Sequence, residues 1–290
     1  MSLQEMEQKS QKLIYEIRQI NDINEELIMQ IEEILPQYSK YYKDYSIDNP
    51  GQFISNNQAT LFMAYTKVFT VPVLITNGKK AFANASGLLL NLDRKFLVTN
   101  FHVYEKWKKL NDESTTYFQI GSVSIPVEDS IIDINRTLDL ITISVPEFLL
   151  EMLSISSYKK FYTPENWSIE TEKGTMVVAS GYPGKIRDDH MGFSALHHGS
   201  IIDEITDITE SKYIMPFNRD EWKQVLGIKD IKDLTSLGGF SGGPVFSFDH
   251  GVVNLVGIIF EDGGDFFDGI RIIRKSMINT DGTINNQWGY

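Results

Sequence analysis

The most informative stretch of this chain is a serine set among glycines, Gly238-Gly239-Phe240-Ser241-Gly242-Gly243-Pro244. Glycine lets a backbone turn sharply and approach a substrate closely, so that amides beside the serine can point at a developing oxyanion. A serine nucleophile also needs a general base, and the base needs an acid that orients it. The stretch therefore predicts nucleophilic catalysis if the chain supplies both partners.

Two upstream segments offer those partners. His102, one of five histidines, closes an apolar run over residues 95–103, which is typical of a buried strand ending in a polar turn. Asp139 opens a segment rich in β-branched residues, which predicts another strand. Asp133 is a competing acid, but its segment lacks such a following strand, and we prefer Asp139. Each residue alone also fits an ordinary structural role, whereas together they give the order histidine, aspartate, serine.

That order separates the serine-hydrolase architectures. Subtilisin-type enzymes run aspartate, histidine, serine, and α/β-hydrolases run serine, acid, histidine. Residues 239–243 do satisfy the G-x-S-x-G pattern of an α/β-hydrolase elbow, but an elbow leads into a helix, whereas Pro244 and the apolar residues after it predict a strand. His250, the one histidine that follows the serine, leaves no room for an acid on a separate strand. The chymotrypsin-type order is the one that fits.

With these residues the chain resembles the trypsin-like serine peptidases of the chymotrypsin fold. The pattern is most similar to that of the bacterial, disulfide-free HtrA-like and glutamyl-endopeptidase-like branches, without a PDZ domain. The resemblance implies a mainly β fold of two six-stranded antiparallel β-barrels, here with an N-terminal α-helical extension. The segments that carry it are residues 86–90, 97–103, 138–143, 181–184 and 239–244.

The resemblance also implies a role for each site residue. His102 would take the proton from Ser241 and return it to the leaving amine, and Asp139 would orient the imidazole. The backbone N–H groups of Gly239 and Ser241 would form the oxyanion hole. The expected substrate is a protein or peptide, and neither a metal ion nor a cofactor is required.

Substrate specificity is less clearly indicated. The family's pocket-floor position corresponds to Thr235, and this neutral residue does not support a preference for Arg or Lys. The second pocket wall is expected to follow the apolar run 256–260, which ends at Phe260, and Glu261 and Asp262 come next. The two acids would favour a basic substrate residue or lie at the rim, so the residue preferred before the cleaved bond stays open. Phe240 occupies the position where digestive and clotting members carry an aspartate, which excludes their zymogen ion pair.

The chain can be divided by the character of its sequence. Residues 1–36 carry apolar residues at alternating three- and four-residue steps, which predicts one amphipathic helix that pairs with a second copy, a partner protein or the peptidase domain. Residues 37–58 form a Tyr-rich connector. The peptidase domain is predicted at about 59–290, with its first barrel at about 59–147 and its second at about 174–290.

Composition limits the other functions. The 290 residues are 42% hydrophobic and 12% aromatic, which is typical of a globular protein. The absence of cysteine excludes disulfides and thiol catalysis, and a start without signal-peptide character favours a cytoplasmic location. A net charge of 27 − 39 = −12 without a basic patch disfavours binding to nucleic acid or to an anionic membrane.

The sequence predicts a serine endopeptidase that is regulated through its N-terminal helix, and two alternatives stay open. The first is a catalytically silent pseudoprotease that uses the double barrel as a protein-binding module. The second is a stress or antiviral defence effector, in which a partner bound to the N-terminal helix activates proteolysis.

Overall fold

The computed structural model of the chain describes residues 66–146, 149, 151–152, 159–184, 187–190, 193–216, 238–249, 252–262 and 269–285. The N-terminal helix predicted at 1–36, the connector predicted at 37–58 and Thr235 lie outside these residues. The described elements are, in chain order, β1 (Thr70–Thr76), β2 (Ala81–Asn91), β3 (Lys95–Asn100), α1 (Phe101–Glu113), β4 (Tyr117–Ile120), β5 (Val123–Ile125), α2 (Val127–Ser130), β6 (Ile131–Asn135), β7 (Leu140–Ser144), β8 (Met176–Gly181), β9 (Asp188–His190), β10 (Phe193–Ala195), β11 (Gly199–Glu204), β12 (Asp207–Ile208), β13 (Lys212–Pro216), β14 (Pro244–Asp249), β15 (Val252–Asp262), β16 (Gly269–Arg274) and a short 3-10 helix (Lys275–Met277).

Two antiparallel sheets dominate the described residues. The first has the strand order β5-β4-β1-β2-β3-β7-β6, and the second has the order β11-β8-β14-β15-β16-β13-β12. Each sheet curls around its own apolar cluster, so the mainly β class with two antiparallel half-barrels is confirmed. The strand count differs from the expected six, because each sheet contains seven strands. The extra count reflects edge strands as short as β5 and β12, with three and two residues, which sequence periodicity does not resolve.

The strand before His102 is apolar on both faces for a structural reason. Leu97 faces the cluster inside the first sheet, while Phe96 and Val98 on the opposite face are just as fully buried. Successive side chains of a strand point to opposite faces, so β3 must be covered on both sides. The continuous apolar run in the sequence is therefore the signature of a central strand with two buried faces.

The chain divides into two compact units. The larger is formed by Lys67–Ser247 and Asn254–Tyr290 and contains the candidate site and nearly all of both sheets. The smaller consists of Met1–Thr66 and Phe248–Val253, so it includes the last residues of β14 and the first of β15.

Within the larger unit, Tyr162 links the two sheets. Its backbone N–H donates to Leu89 O in β2 at 2.8 Å, and its hydroxyl accepts from Leu255 N in β15 at 3.2 Å. Its ring packs edge-on against Phe69 and Phe246, with centroids 5.4 and 5.0 Å apart. Burial raises the pKa of the Tyr162 hydroxyl, so this group stays a neutral hydrogen-bonding partner.

The described residues lack a membrane-spanning helix and a metal-binding cluster. None of the helices in these ranges combines the length and the apolar character that crossing a membrane requires. In the same ranges, no group of three or more histidine, aspartate or glutamate side chains is placed to hold a metal ion.

Candidate active site

His102 lies in a helix and not in the strand-ending turn that the sequence predicts. Strand β3 ends at Asn100, and α1 begins at Phe101. The helix forms because Phe101, Tyr104 and Trp107 recur at three-residue steps and bury one face against the core of the first sheet. His102 is therefore carried in the first turn of α1, on its exposed side.

His102 and Asp139 are paired through both oxygens of the carboxylate. The ring Nδ1 of His102 lies 2.6 Å from Asp139 Oδ2, and the backbone N–H of His102 donates to Asp139 Oδ1 at 2.7 Å. Because an ionised carboxylate only accepts, Nδ1 carries the proton and Nε2 is left as the acceptor. Nε2 makes no hydrogen bond to any residue that the structure describes. The side chain of His102 is 50% exposed and that of Asp139 15%, so the base is accessible while its acid is covered.

Asp139 reaches this position through an uncommon backbone conformation. Its φ is 51°, and no other non-glycine residue of the described ranges has a positive φ. Its carbonyl accepts from the Phe101 amide at 3.0 Å and from Asn100 Nδ2 at 2.9 Å. Aspartate tolerates the left-handed region better than most residues, and such strain persists where surrounding contacts enforce it. The turn before β7 thus delivers the carboxylate to the start of α1.

The competing acid has a structural role. Asp133 Oδ1 accepts from the amide of Ile134, and Asp133 Oδ2 accepts from the amide of Ile284, each at 2.8 Å. Both oxygens are therefore engaged with backbone groups, and the structure pairs His102 with Asp139 instead.

The loop that carries Ser241 is packed too closely to accept side chains at its glycines. Gly239 and Gly242 have φ values of 104° and 83°. A Cβ on Gly239 would collide with the carbonyl oxygen of Tyr182, and a Cβ on Gly242 with that of Ser86. Glycine is required here for both its conformation and its size.

Hydrogen bonds fix the peptide planes of this loop. Ser86 donates from its backbone N–H to Ser241 O at 2.9 Å and from its hydroxyl to Gly239 O at 2.6 Å. The Ser86 hydroxyl also accepts from the amide of Tyr182 at 2.8 Å. The peptide between Gly238 and Gly239 is held by Gly184, whose amide donates to Gly238 O at 2.7 Å.

This arrangement leaves two amides unoccupied. The C=O and N–H of one trans peptide point in opposite directions, so the bond between Gly184 and Gly238 O turns the N–H of Gly239 away from Gly184. Within the described residues, neither the Gly239 amide nor the Ser241 amide donates a hydrogen bond. Unoccupied backbone donors beside a serine are what an oxyanion hole requires, and this role of Gly239 and Ser241 stays a prediction.

Phe240 belongs to the same loop and packs into the core. It is completely buried in the apolar cluster of the second sheet. Glycines make room for it: a Cβ on Gly199 would lie 3.3 Å from the end of its ring, and a Cβ on Gly181 3.0 Å from its Cα. The residue before Ser241 is thus a core residue, and no acid stands there to form an ion pair.

The serine loop lies beside the segment that carries the histidine. A Cβ added to Gly242 would be 3.1 Å from the amide nitrogen of Asn100, two residues before His102. Ser241 Oγ makes no hydrogen bond to His102 or to any other described residue. The structure therefore joins His102 to Asp139 directly and brings the backbone next to Ser241 alongside them.

The predicted specificity residues are placed in part. Phe260 is the extra residue of a bulge in β15 between Ile259 and Glu261, and the ammonium of Lys212 lies 4.0 Å from the centre of its ring. The preceding residue, Ile259, exchanges backbone hydrogen bonds with the serine loop, at 2.9 Å from Gly242 N and 2.8 Å to Gly243 O. Glu261 and Asp262 belong to β15, but their side chains, like Thr235, lie outside what the structure describes.

Several residues that support the site were not predicted from the sequence. Ser86 and Tyr182 lie in the segments that carry the family resemblance, but 96 residues separate them, and no local pattern indicates that they meet. Asn84, whose side chain donates to Tyr182 O at 2.7 Å, gave no signal at all.

No protein-family model and no curated protein matches the chain. Among solved structures it is similar to the Rv3671c protease from M. tuberculosis in its active form, with 16% identity, 76% of this chain and 80% of that chain covered, and a TM-score of 0.44. It is also similar to the serine endoprotease from Yersinia pestis, with 14% identity, 72% and 59% coverage and a TM-score of 0.42. The inactive form of the Rv3671c protease gives 16% identity, 73% and 86% coverage and a TM-score of 0.40. All three are structures of proteases, but the likeness is too distant to bear on the chemistry of this chain.

Proposed function

We propose that this chain is a serine endopeptidase in which His102, Asp139 and Ser241 form the catalytic triad. The observation that carries the proposal is the pairing of His102 Nδ1 with Asp139 Oδ2 at 2.6 Å, which leaves Nε2 as an accessible base. The constrained loop of Ser241 lies against the segment that precedes this histidine. A base, its orienting acid and a glycine-walled serine are the components that acyl transfer needs.

The mechanism follows from where charge develops. Ser241 Oγ attacks the scissile carbonyl carbon while its proton passes to His102 Nε2, and Asp139 stabilises the resulting imidazolium. The carbonyl oxygen becomes an oxyanion that accepts hydrogen bonds from the Gly239 and Ser241 amides; one such donor stabilises the transition state by about 3–4 kcal/mol. The imidazolium then protonates the leaving amine, and an acyl-enzyme remains. Water repeats the sequence, which releases the acid product and restores Ser241.

We further propose that the N-terminal residues 1–36 regulate the enzyme. Phe240 is buried where a zymogen-type enzyme would carry an aspartate, so the ion-pair switch of those enzymes is absent from the Ser241 loop. Restraint of the protease must then come from another element, and an amphipathic segment can bind a partner protein or a second copy. The HtrA-like or glutamyl-endopeptidase-like affiliation and the cytoplasmic location stay predictions from the sequence.

One observation favours a second function. Within the described residues Ser241 Oγ makes no hydrogen bond to His102, which is the arrangement expected of a double barrel that binds polypeptides without cleaving them. Catalytic hydrogen bonds of unliganded enzymes are also often long and tighten only when substrate binds. The two functions are separated by measuring turnover.

The proposal is tested by assaying wild type, Ser241→Ala and His102→Ala on a denatured protein and on a peptide library. Loss of either residue should lower kcat by about 10⁴-fold or more, because the triad acts as a unit. The control is Ser247→Ala, which removes the hydroxyl of a buried serine in β14 and should keep its activity. Cleavage that persists in Ser241→Ala would refute the assignment, and a folded wild type that cleaves no substrate would favour the binding module.

A further inference from the structure

A groove beside the candidate active site is not used by the proposed mechanism. It has a volume of about 630 Å³, within the range of ordinary ligand sites. The described residues that line it include Lys79, Lys80 and Lys159 and no aspartate or glutamate. The chain has 39 acidic and 27 basic residues, so a groove whose described ionisable side chains are basic or tyrosine is a local departure from the charge of the chain.

Two of the lysines stand on an ordered turn. Lys79 and Lys80 are exposed at the tip of the β1–β2 hairpin, where the side chain of Asn77 accepts from both of their amides at 3.1 and 3.0 Å. Neither ammonium forms a salt bridge with another described residue. Asp189, whose carboxylate is influenced by Lys80, is paired instead with Arg187 at 2.9 Å. The backbone of the turn is thus fixed, and both exposed ammonium groups are available to an incoming anion.

The third lysine is built into the wall of the groove. Lys159 is 4% exposed, and its ammonium donates to Lys67 O at 2.7 Å, to Thr70 O at 2.6 Å and to the hydroxyl of Tyr182 at 2.7 Å. Burial, together with the charge of Lys67, lowers the pKa of Lys159. The Tyr182 hydroxyl also donates to Thr70 O at 3.3 Å, so Lys159 and Tyr182 share this carbonyl. Lys159 is therefore a fixed, buried part of the groove wall.

The groove is connected to the catalytic loop through one residue. Tyr182 lines the groove, while its backbone N–H donates to the Ser86 hydroxyl that holds Gly239 O. Tyr182 therefore belongs both to the groove wall and to the hydrogen bonds that hold the Ser241 loop. Pro72 and Leu74 form an apolar part of the wall, against which the side-chain stems of a bound polypeptide can pack.

We infer that this groove binds an acidic segment of the polypeptide substrate, at a distance from the bond that is cleaved. Lys79 and Lys80 pair with carboxylates of the segment, and the wall that contains Lys159 supports the groove. That the bound polypeptide is a substrate rests on the proposed endopeptidase function, whereas the binding of acidic polypeptide does not.

The test measures binding in a protein that cannot turn over the ligand. Fluorescently labelled hexaglutamate and hexaglutamine are titrated with full-length Ser241→Ala, and anisotropy is followed at low and at physiological salt. We expect hexaglutamate to bind more tightly than hexaglutamine, with an affinity that falls as salt rises. Lys79→Gln/Lys80→Gln in the same background should weaken hexaglutamate binding about five- to tenfold. Lys106→Gln/Lys109→Gln, which removes two exposed lysines of α1, gives the same change of charge and should stay within about twofold.

Three results would overturn the inference. They are equal binding of hexaglutamine, equal weakening in the α1 control, and displacement of hexaglutamate by free glutamate at the same carboxylate concentration, which would indicate a site for small anions. Wild type is then assayed on peptides that differ only in carrying an acidic run on either side of the cleaved bond, and one of them should show a lower KM at unchanged kcat. Tight binding without cleavage would contradict the proposed function and leave the groove assignment intact.

Discussion

Asp139 holds the candidate site together through two different groups. Its carboxylate fixes both the ring and the backbone of His102, and its carbonyl fixes the start of α1 through Phe101 and Asn100. The left-handed φ of 51° presents both groups to the same segment. Asparagine is tolerated in this region of φ and ψ as aspartate is, so charge and conformation can be varied separately.

For Asp139→Asn we therefore expect a chemical defect without a folding defect. The amide can present its NH₂ to the imidazole and favour the wrong tautomer, which should lower kcat about 10⁴-fold. The unfolding temperature should change by no more than about 2 °C, because the backbone conformation is retained. Steady-state kinetics and a thermal melt check both parts. A variant that keeps a tenth of the wild-type kcat would remove Asp139 from the triad.

Ser86 is a positioning residue for the oxyanion loop. Ser86→Ala removes the donor to Gly239 O and the acceptor for the Tyr182 amide, which destabilises the fold by about 1–3 kcal/mol. We expect kcat to fall about 10²-fold with little change in KM, because a displaced loop misplaces the oxyanion donors and not the substrate. Ser247→Ala is the matched control for the loss of a buried hydroxyl. If both variants lose kcat equally, the effect is general destabilisation and the positioning role is wrong.

At the scale of elements, the boundary between β3 and α1 shows what the sequence can predict. The apolar run over 95–103 correctly indicates a strand, but β3 stops at Asn100 because its partner β7 begins at Leu140, opposite it. That register depends on the turn at Asp139, which is remote in sequence. The three-residue spacing of Phe101, Tyr104 and Trp107 is typical of a helix, but the continuous apolar run that overlaps its start is typical of a strand, and we predicted a strand from that run.

The same reasoning explains which parts of the site were accessible from sequence. The order of His102, Asp139 and Ser241 is a property of residue types along the chain, and the structure brings the first two into contact. The bond from Ser86 to Gly239 spans 153 residues, and the groove is formed by segments from β1 to β10. Contacts of that range follow from tertiary packing, and no local pattern encodes them.

A pH-dependent contact ties β13 and β16 to the segment before β8. Glu170 Oε2 accepts from Arg274 Nη2 and from the Tyr213 hydroxyl, each at 2.8 Å. Burial opposes ionisation of Glu170, but these hydrogen bonds outweigh it, and the pKa of Glu170 lies below its usual 4.5. A lowered carboxyl pKa means that the stabilisation is fully present above about pH 4.5 and is lost as the pH falls through the folded-state value.

For Glu170→Gln we expect the unfolding temperature at neutral pH to fall by about 2–4 °C, since a half-exposed pair contributes up to about 1 kcal/mol. The difference from wild type should shrink as the pH falls below about 4.5 and through the lowered pKa of native Glu170, because the native glutamate then becomes neutral too. Melts of both proteins across this range check the sign. A difference that is the same at both ends would show that the contact stabilises through packing and not through charge.

At the scale of the whole molecule, the net charge and the N-terminal segment both bear on the proposed function. The net charge of −12 repels acidic polypeptides from most of the surface, so the lysine-lined groove is the local exception that would admit them. The N-terminal residues 1–36 are themselves acidic and amphipathic, and they are the segment to which we assign control of the enzyme.

Deleting residues 1–36 should change kcat/KM on a peptide substrate several-fold, because the segment that restrains or orders the site is lost. A full-length Ile17→Asp/Leu27→Asp variant, which breaks the apolar seam, should reproduce the change. Glu25→Gln/Glu26→Gln alters the polar side of the predicted helix and should not. A kcat/KM that is unchanged by the deletion would refute the regulatory proposal.

The central claim is that Ser241 is a nucleophile activated by His102, and covalent labelling measures this most directly. Wild type is treated with a fluorophosphonate probe beside Ser241→Ala, His102→Ala and Asp139→Asn, and the modified peptide is located by mass spectrometry. We expect one label per chain on Ser241, no label in Ser241→Ala, and greatly slowed labelling in the other two variants. A folded wild type that stays unlabelled at Ser241, or labelling that persists in Ser241→Ala, would contradict it.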